Sequence, residues 1–474
     1  MVLPLYIKYM GAEAYGLVGF FAMLQMWFNL LDMGLTPTMA RETARFRGGA
    51  TDALSYRRLV RALEGVFLTV ALLGGGAMFL AAGYIARDWL QTTQLSIDEV
   101  KTAVQLMASI VAMRWMCGLY RGAISGSERL VWLGWYNSFI ATLRFIGVLL
   151  VLKFIGVTPT IFFIYQFCMA MVELVCLLYY AYRLLPIIPD GMRVPWSWTP
   201  LKPVFKFSLT IAFTSSVWIL VTQTDKLVLS KLLPLAEYGY FTLAVLVGSG
   251  VIVISGPVSV AIMPRMAKLE AEGNHTGLIR VYRQATQLVA VIAGAASVTV
   301  TFCAESLLWA WTGDKVLAHQ AAPILILYTI GNAILVVSAF PYYLQYAKGD
   351  LKLHLIGNAV FVVLLIPSII WAASKYGGVG AGYVWLFTNL LSFVAWLPIV
   401  HRKFAPGLNL KWYFQDIAII YLVASTAGYF LRTILPVNGD RALQIGGVMT
   451  FGLLVLMTAA CASTTVWEKA AKRV

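Results

Sequence analysis

The chain has 474 residues, 60% of them apolar and only 12% charged, with mean hydropathy +0.79 and formal net charge +15. A soluble domain carries about a quarter charged residues because its surface must stay wet, so this composition excludes a soluble globular protein. It also excludes a nucleic-acid binder, because the basic residues are scattered between apolar runs and build no solvated basic face.

The first element, Met1 to Tyr9, reads as the tail of a helix. It is too short to span and lacks the small-residue cleavage site of a signal peptide. The expectation is an incomplete first helix that begins upstream of Met1; a short lead-in is the alternative. Apolar runs then follow near 15–36, 61–86, 100–122, 133–154, 158–182, 205–224, 237–262, 283–308, 321–345, 352–373, 378–400, 412–434 and 444–465. A barrel strand needs about ten alternating residues. These runs are about twice as long and do not alternate, so the fold class is an all-α polytopic membrane protein. With the first run passing from outside to inside, the inner loops hold about 24 Lys and Arg and the outer ones about 10. The C-terminus is then cytoplasmic, and the charge reads as topology and contact with anionic headgroups.

Within the first full run, Gln25, Asn29, Asp32 and Thr36 share one helix face. Arg41, Arg45 and Arg47 follow just inside the surface, as topogenic charge or, for Arg41 and Arg45, as a cytoplasmic gate that recruits an anionic headgroup. Arg114, Arg144 and Glu173 lie in three successive spans, each roughly 12–17 Å from its cytoplasmic end. A charge at a helix centre costs about 2.5–3.5 kcal/mol, so a layer of three asks for a reason. One is a structural ion pair of Glu173 with either arginine. The other is that the surplus cation meets a pyrophosphate, which a guanidinium fork binds bidentately. Further on, Thr214, Trp218, Thr222 and Asp225, followed by Lys226, line a second polar face. Interhelical hydrogen bonding accounts for both polar faces equally well. Asp32 and Asp225 are also candidates for proton or sodium coupling, and Glu173, Asp225 and Lys226 for charge pairing.

The five cysteines fall in spans without metal-ligand spacing, and the four histidines are scattered, so no metal or haem site is expected. No glycine-rich run ends in Lys-Ser/Thr, which speaks against direct use of ATP. A repeat is present. Tyr15-Gly16 and Ala44-Arg45 return as Tyr238-Gly239 and Ala267-Lys268, 223 positions on; Asn137 and Gly156 return as Asn358 and Gly377, 221 positions on. Six helices per half give both halves one orientation, with substrate sites expected between them. The expected organisation is an N-terminal lobe (1–185), a linker (186–204), a C-terminal lobe (205–403), and an extra helix pair with a basic tail (404–474).

The stretches Met10-Gly11-Ala12-Glu13-Ala14-Tyr15-Gly16, Leu31-Asp32-Met33-Gly34-Leu35, Thr224-Asp225-Lys226, Glu237-Tyr238-Gly239, Ile262-Met263-Pro264-Arg265, Tyr282-Arg283-Gln284-Ala285-Thr286, Gly349-Asp350 and Gly377-Gly378-Val379-Gly380-Ala381-Gly382 occur in this order along nearly the whole chain. In that order the sequence resembles the O-antigen and exopolysaccharide flippases of the multidrug/oligosaccharidyl-lipid/polysaccharide (MOP) exporter superfamily. The resemblance implies two six-helix bundles in a V around a central cavity. It implies a secondary transporter, not an enzyme, that flips an undecaprenyl-diphosphate-linked oligosaccharide across the bacterial inner membrane for lipopolysaccharide or other surface polysaccharide. Its partners would be the lipid-linked oligosaccharide, membrane lipids, and the glycosyltransferases and polymerase of the pathway. The substrate would meet Arg114, Arg144, Gln25, Asn29, Thr214 and Trp218; no cofactor is expected beyond a coupling ion. A lipid II flippase or a drug/cation antiporter of the same superfamily are the rival readings. An integral-membrane polymerase or glycosyltransferase is a more distant one, because the longest loops are about 20 residues.

Overall fold

The computed structural model describes residues 3–32, 34–187, 197–434 and 440–464, with 202–215, 254–255 and 259–260 described by backbone alone. In chain order the helices are α1 (Leu3–Met10), α2 (Ala12–Leu30), α3 (Leu35–Arg47), α4 (Ala53–Trp89), α5 (Ile97–Gly126), α6 (Leu130–Phe154) and α7 (Pro159–Leu184). They continue as α8 (Lys202–Leu232), α9 (Leu235–Ala271), α10 (His275–Thr312), α11 (Lys315–Ala347), α12 (Lys352–Phe404), α13 (Asn409–Ile434) and α14 (Arg441–Cys461). Among the described residues, ten helices are long and apolar enough to cross a membrane, or eleven if the bent pair α2–α3 is one span. The protein is an all-helical, multi-pass membrane protein.

Local sequence sets most of the boundaries. Asp52, Ser96, Thr158, Asn274 and Asp314 each accept a hydrogen bond from a backbone N–H of the first helical turn that follows, satisfying donors the helix cannot. Pro159 sits at the start of α7, where its missing N–H costs nothing. At the far end of α10, Arg441 donates to the last-turn carbonyls of Ala310 and Trp311.

Two expected spans changed form. The run 15–36 is not one straight helix: the chain breaks after Leu30, Gly34 takes a left-handed conformation (φ 71°), and α3 leaves at 54°. Asp32 accepts hydrogen bonds from the N–H and hydroxyl of Thr36, the latter at 2.6 Å, and so holds the new helix start. The runs 352–373 and 378–400 join in one 53-residue element, α12, interrupted at Gly377 (φ 58°). Its ends meet. Lys403 pairs with Asp350, and Trp396 lies against Gly357. At 1.5 Å per residue the element is far longer than one crossing, so it makes two passes.

Contacts divide the chain into units of residues 2–239 and 240–474. The division falls inside α9, and α8 belongs to the first unit. Residues 188–196 of the expected linker (186–204), and the basic tail at 465–474, lie outside the described residues.

In the first unit, Phe67 stacks on Trp115, which donates to the Phe67 carbonyl, and Trp132 is stacked between Tyr136 and Tyr180. Helix α3 approaches α5 closely along Gly118, Gly122 and Gly126. A Cβ on Gly122 would stand 2.6 Å from the Thr36 carbonyl, and one on Gly126 2.2 Å from that of Ala40. Small residues four apart permit this backbone approach. The two Tyr-Gly copies of the repeat also meet, with Gly239 against Gly16. At the same end, the buried Glu13 carboxylate accepts from the N–H groups of Thr93, Gln94 and Leu95 and from the Thr93 hydroxyl.

The second unit is built round Tyr282, Phe340, Trp412 and Phe451, all nearly inaccessible. Tyr282 and His401 share a 2.8 Å hydrogen bond, and the Trp412 indole donates to Thr286.

Candidate functional site

The charged layer of the first unit assembles from four helices. Helix α5 carries Arg114 and Arg121 seven residues apart, and α7 carries Gln166 and Glu173 at the same spacing, so each pair recurs two turns along one face. The registers match. Arg114 donates to the Gln166 amide oxygen (3.2 Å), and Arg121 pairs with the Glu173 carboxylate. Glu173 also stands 3.8 Å from Arg114. Helix α2 adds Gln25, which accepts from Arg114 at 2.9 Å, and Phe21, over whose ring the Arg114 guanidinium lies. Helix α6 adds Arg144 from a π-helical turn over Leu143–Gly147. Such turns re-aim side chains and recur at functional sites. Gln166 is 3% exposed and donates to the Arg144 carbonyl, tying α7 to that turn.

Three guanidinium groups thus gather round one carboxylate, which accepts from Arg121 at Oε1 and leaves Oε2 buried without a hydrogen bond, 3.8 Å from Arg114. Among the described residues Arg144 has no carboxylate partner; its guanidinium lies over the Phe145 ring. The Nε groups of Arg114, Arg121 and Arg144 are all buried without a hydrogen-bond acceptor. Buried donors are nearly always satisfied, and an unmatched buried charge is costly. In the layer the cationic groups outnumber the carboxylate, and Glu173 Oε2 is itself buried without a hydrogen-bond donor.

Sequence reasoning found Arg114, Arg144 and Glu173 but assigned Arg121 to a loop, because the apolar run stops near 122. The helix continues to Gly126, so Arg121 is inside it. Gln166 and Glu64 were also missed. Glu64 accepts from the hydroxyls of Tyr182 (2.8 Å) and Tyr120 (3.3 Å), below the layer. The seven-residue spacing shared by Arg114/Arg121 and Gln166/Glu173 was the available signal.

The other candidates stand apart from this cluster or bind locally. Asn29 is exposed, and its amide donates to the Met26 sulfur. Asp32 is engaged by Thr36. On α8, Trp218 is half exposed, and buried Asp225 accepts from the N–H of Lys226 and pairs with its ammonium at 3.3 Å. The side chain of Thr214 lies outside the described residues. Arg41 and Arg45 both reach Glu42 and are about half exposed. Among the described residues no group of three or more His, Cys, Asp or Glu could hold a metal ion.

The polysaccharide biosynthesis protein family model matches residues 1–270, more than half of the chain. No curated protein matches it. Among solved structures, the inward closed conformation of the lipid II flippase MurJ is similar at a TM-score of 0.70 and 14% identity, covering 97% of this chain and 95% of that one. An inward-facing MATE-family multidrug resistance transporter of the MOP superfamily is similar at 0.69 and 14%, covering 84% and 93%. A MOP superfamily transporter from Pyrococcus furiosus follows at 0.50 and 14%, covering 85% and 91%. At these identities the likeness is one of fold.

Proposed function

Because the chain belongs to the polysaccharide biosynthesis protein family, we propose that it is a secondary transporter that flips an undecaprenyl-diphosphate-linked oligosaccharide across the bacterial inner membrane. The observation that carries this reading is the excess of cations in the layer: among the described residues Arg114, Arg121 and Arg144 gather round Glu173 alone. A diphosphate offers several acceptor oxygens at charge −2 or more, and guanidinium forks bind it bidentately. Gln25 and Gln166, already held to Arg114, fix that fork in place. The sugars would occupy the wet side of the layer and the prenyl chain the lipid. A cationic drug would meet repulsion here, which weighs against an antiporter for such substrates.

Asp32 and Asp225 remain the proposed coupling carboxylates, and Arg41 and Arg45 the proposed cytoplasmic gate. Asp32→Asn or Asp225→Asn should change the proton or sodium dependence of transport in liposomes. Insensitivity of transport to both ions would remove that part of the proposal.

The decisive experiment replaces Arg114 or Arg144 by Ala in a strain whose surface glycan depends on this protein. Loss of glycan export, with lipid-linked precursor accumulating and the protein still inserted, is the expected result. Normal export by both variants would sink the site. A lipid II flippase is the second reading. It is favoured by the MurJ likeness over 97% of the chain, where the MATE structure covers 84%. Rescue of a strain depleted of its lipid II flippase would select it.

A further inference from the structure

In the second unit, four helix ends gather on one side: the start of α10, the end of α11, the end of α12 and the start of α13. Between them lies a cavity of about 520 Å³ whose lining includes Leu278, Arg283, Lys348, Phe404, Leu408 and Lys411. That size suits a small ligand, and the lining has two characters. Leu278, Phe404, Ala405 and Leu408 are buried and apolar, while Lys348 and Lys411 are exposed.

The charges on this lining do not cancel. No carboxylate lines the cavity. Asp416 is committed to Arg283, Glu270 stands 3.4 Å from His275, and Asp350 is held by Lys403. The first of these pairs offsets the arginine. Lys348 and Lys411 have no ion-pair partner among the described residues, so two ammonium groups face one apolar-floored cavity without a counter-charge. The orientation expected from the excess of Lys and Arg in the inner loops would put these helix ends at the cytoplasmic surface, where basic pockets between spans take lipid headgroups.

We propose that this cavity binds the phosphate group of an amphipathic phosphate ester, the phosphate between Lys348 and Lys411 and the organic part on Leu278, Phe404 and Leu408. An anionic phospholipid headgroup and a free phosphate share this chemistry; the apolar floor favours the headgroup. The site is separate from the arginine layer and does not depend on the transport reading.

The test uses the full chain in detergent micelles, with native mass spectrometry counting bound dioleoylphosphatidylglycerol or dioleoylphosphatidylcholine. Wild type should bind the anionic lipid in preference to the zwitterionic one. The Lys348→Gln/Lys411→Gln variant should bind it about thirty-fold more weakly, and Lys348→Arg/Lys411→Arg should retain it. Thermal unfolding of each variant checks that the fold survives. Inorganic phosphate at millimolar concentration should not displace the lipid; displacement would assign the site to free phosphate. Equal affinity for both lipids, or equal binding by wild type and the Gln variant, would overturn the proposal.

Discussion

Each unit carries a charged cluster within its helices, and the two are built on different principles. In the second unit, Arg283 sets Nε and a terminal nitrogen against the two oxygens of Asp416, at 2.7 and 2.9 Å. Gln287 then donates to Asp416 and accepts from Ser463 and Thr464, while Gln415 accepts from Arg283. One cation meets one anion, and Asp416 is fully buried. In the first unit three cations meet one anion, and the three Nε donors and one Glu173 oxygen are all left without hydrogen-bond partners. A saturated cluster staples α13 and the end of α14 to α10. The unsaturated one carries the binding role proposed for it.

The contrast can be broken experimentally, and the largest effect belongs to the saturated pair. Asp416→Leu should destabilise the protein by about 3–5 kcal/mol, because it strands the arginine. Adding Arg283→Met should recover most of that loss in a denaturation assay. If the single and double variants unfold alike, the pair is not the staple described. Arg144→Gln should behave in the opposite way. Losing a charge-assisted contact of about 1.5–3 kcal/mol should weaken diphosphate-lipid binding roughly ten- to a hundredfold, while thermal stability holds or rises. A fall in stability matching that of Asp416→Leu would erase the distinction between the clusters.

Gly126→Ala comes next, at about 1–3 kcal/mol from overpacking, since its methyl would enter the Ala40 carbonyl. Reduced thermal stability with unchanged lipid selectivity is the expected readout. The smallest effect is at the exposed Asp350, whose carboxyl is held below the usual range first by its hydrogen bond with Lys403. A depressed folded-state value means the contribution is present above the unfolded carboxylate range, near about 4, and is lost as pH falls through the folded value. The small stability difference between wild type and Asp350→Asn should therefore be visible at pH 7 and vanish in strong acid.

How much of this was legible in the sequence follows from the physics of each feature. Spans show because hydrocarbon tolerates little but apolar side chains, so the runs were found with edges off by several residues. The break after Leu30 was not found. It is set by one left-handed glycine and one carboxylate accepting from Thr36, which leave the local hydropathy unchanged. Arg114 and Glu173 stood out because charge inside a span is rare, whereas Arg121 hid among topogenic residues and Gln166 carried no charge to count. The Gly118, Gly122 and Gly126 stripe was readable as small residues four apart, but its partner α3 is not given by any local pattern.

The grip of Glu13 on residues 93–95 has a consequence for how that loop tolerates change. The carboxylate addresses main-chain N–H groups at Gln94 and Leu95, so it is blind to the side chains there. Saturation mutagenesis of these two codons should find nearly every amino acid accepted and proline alone rejected, since only proline withdraws the donor.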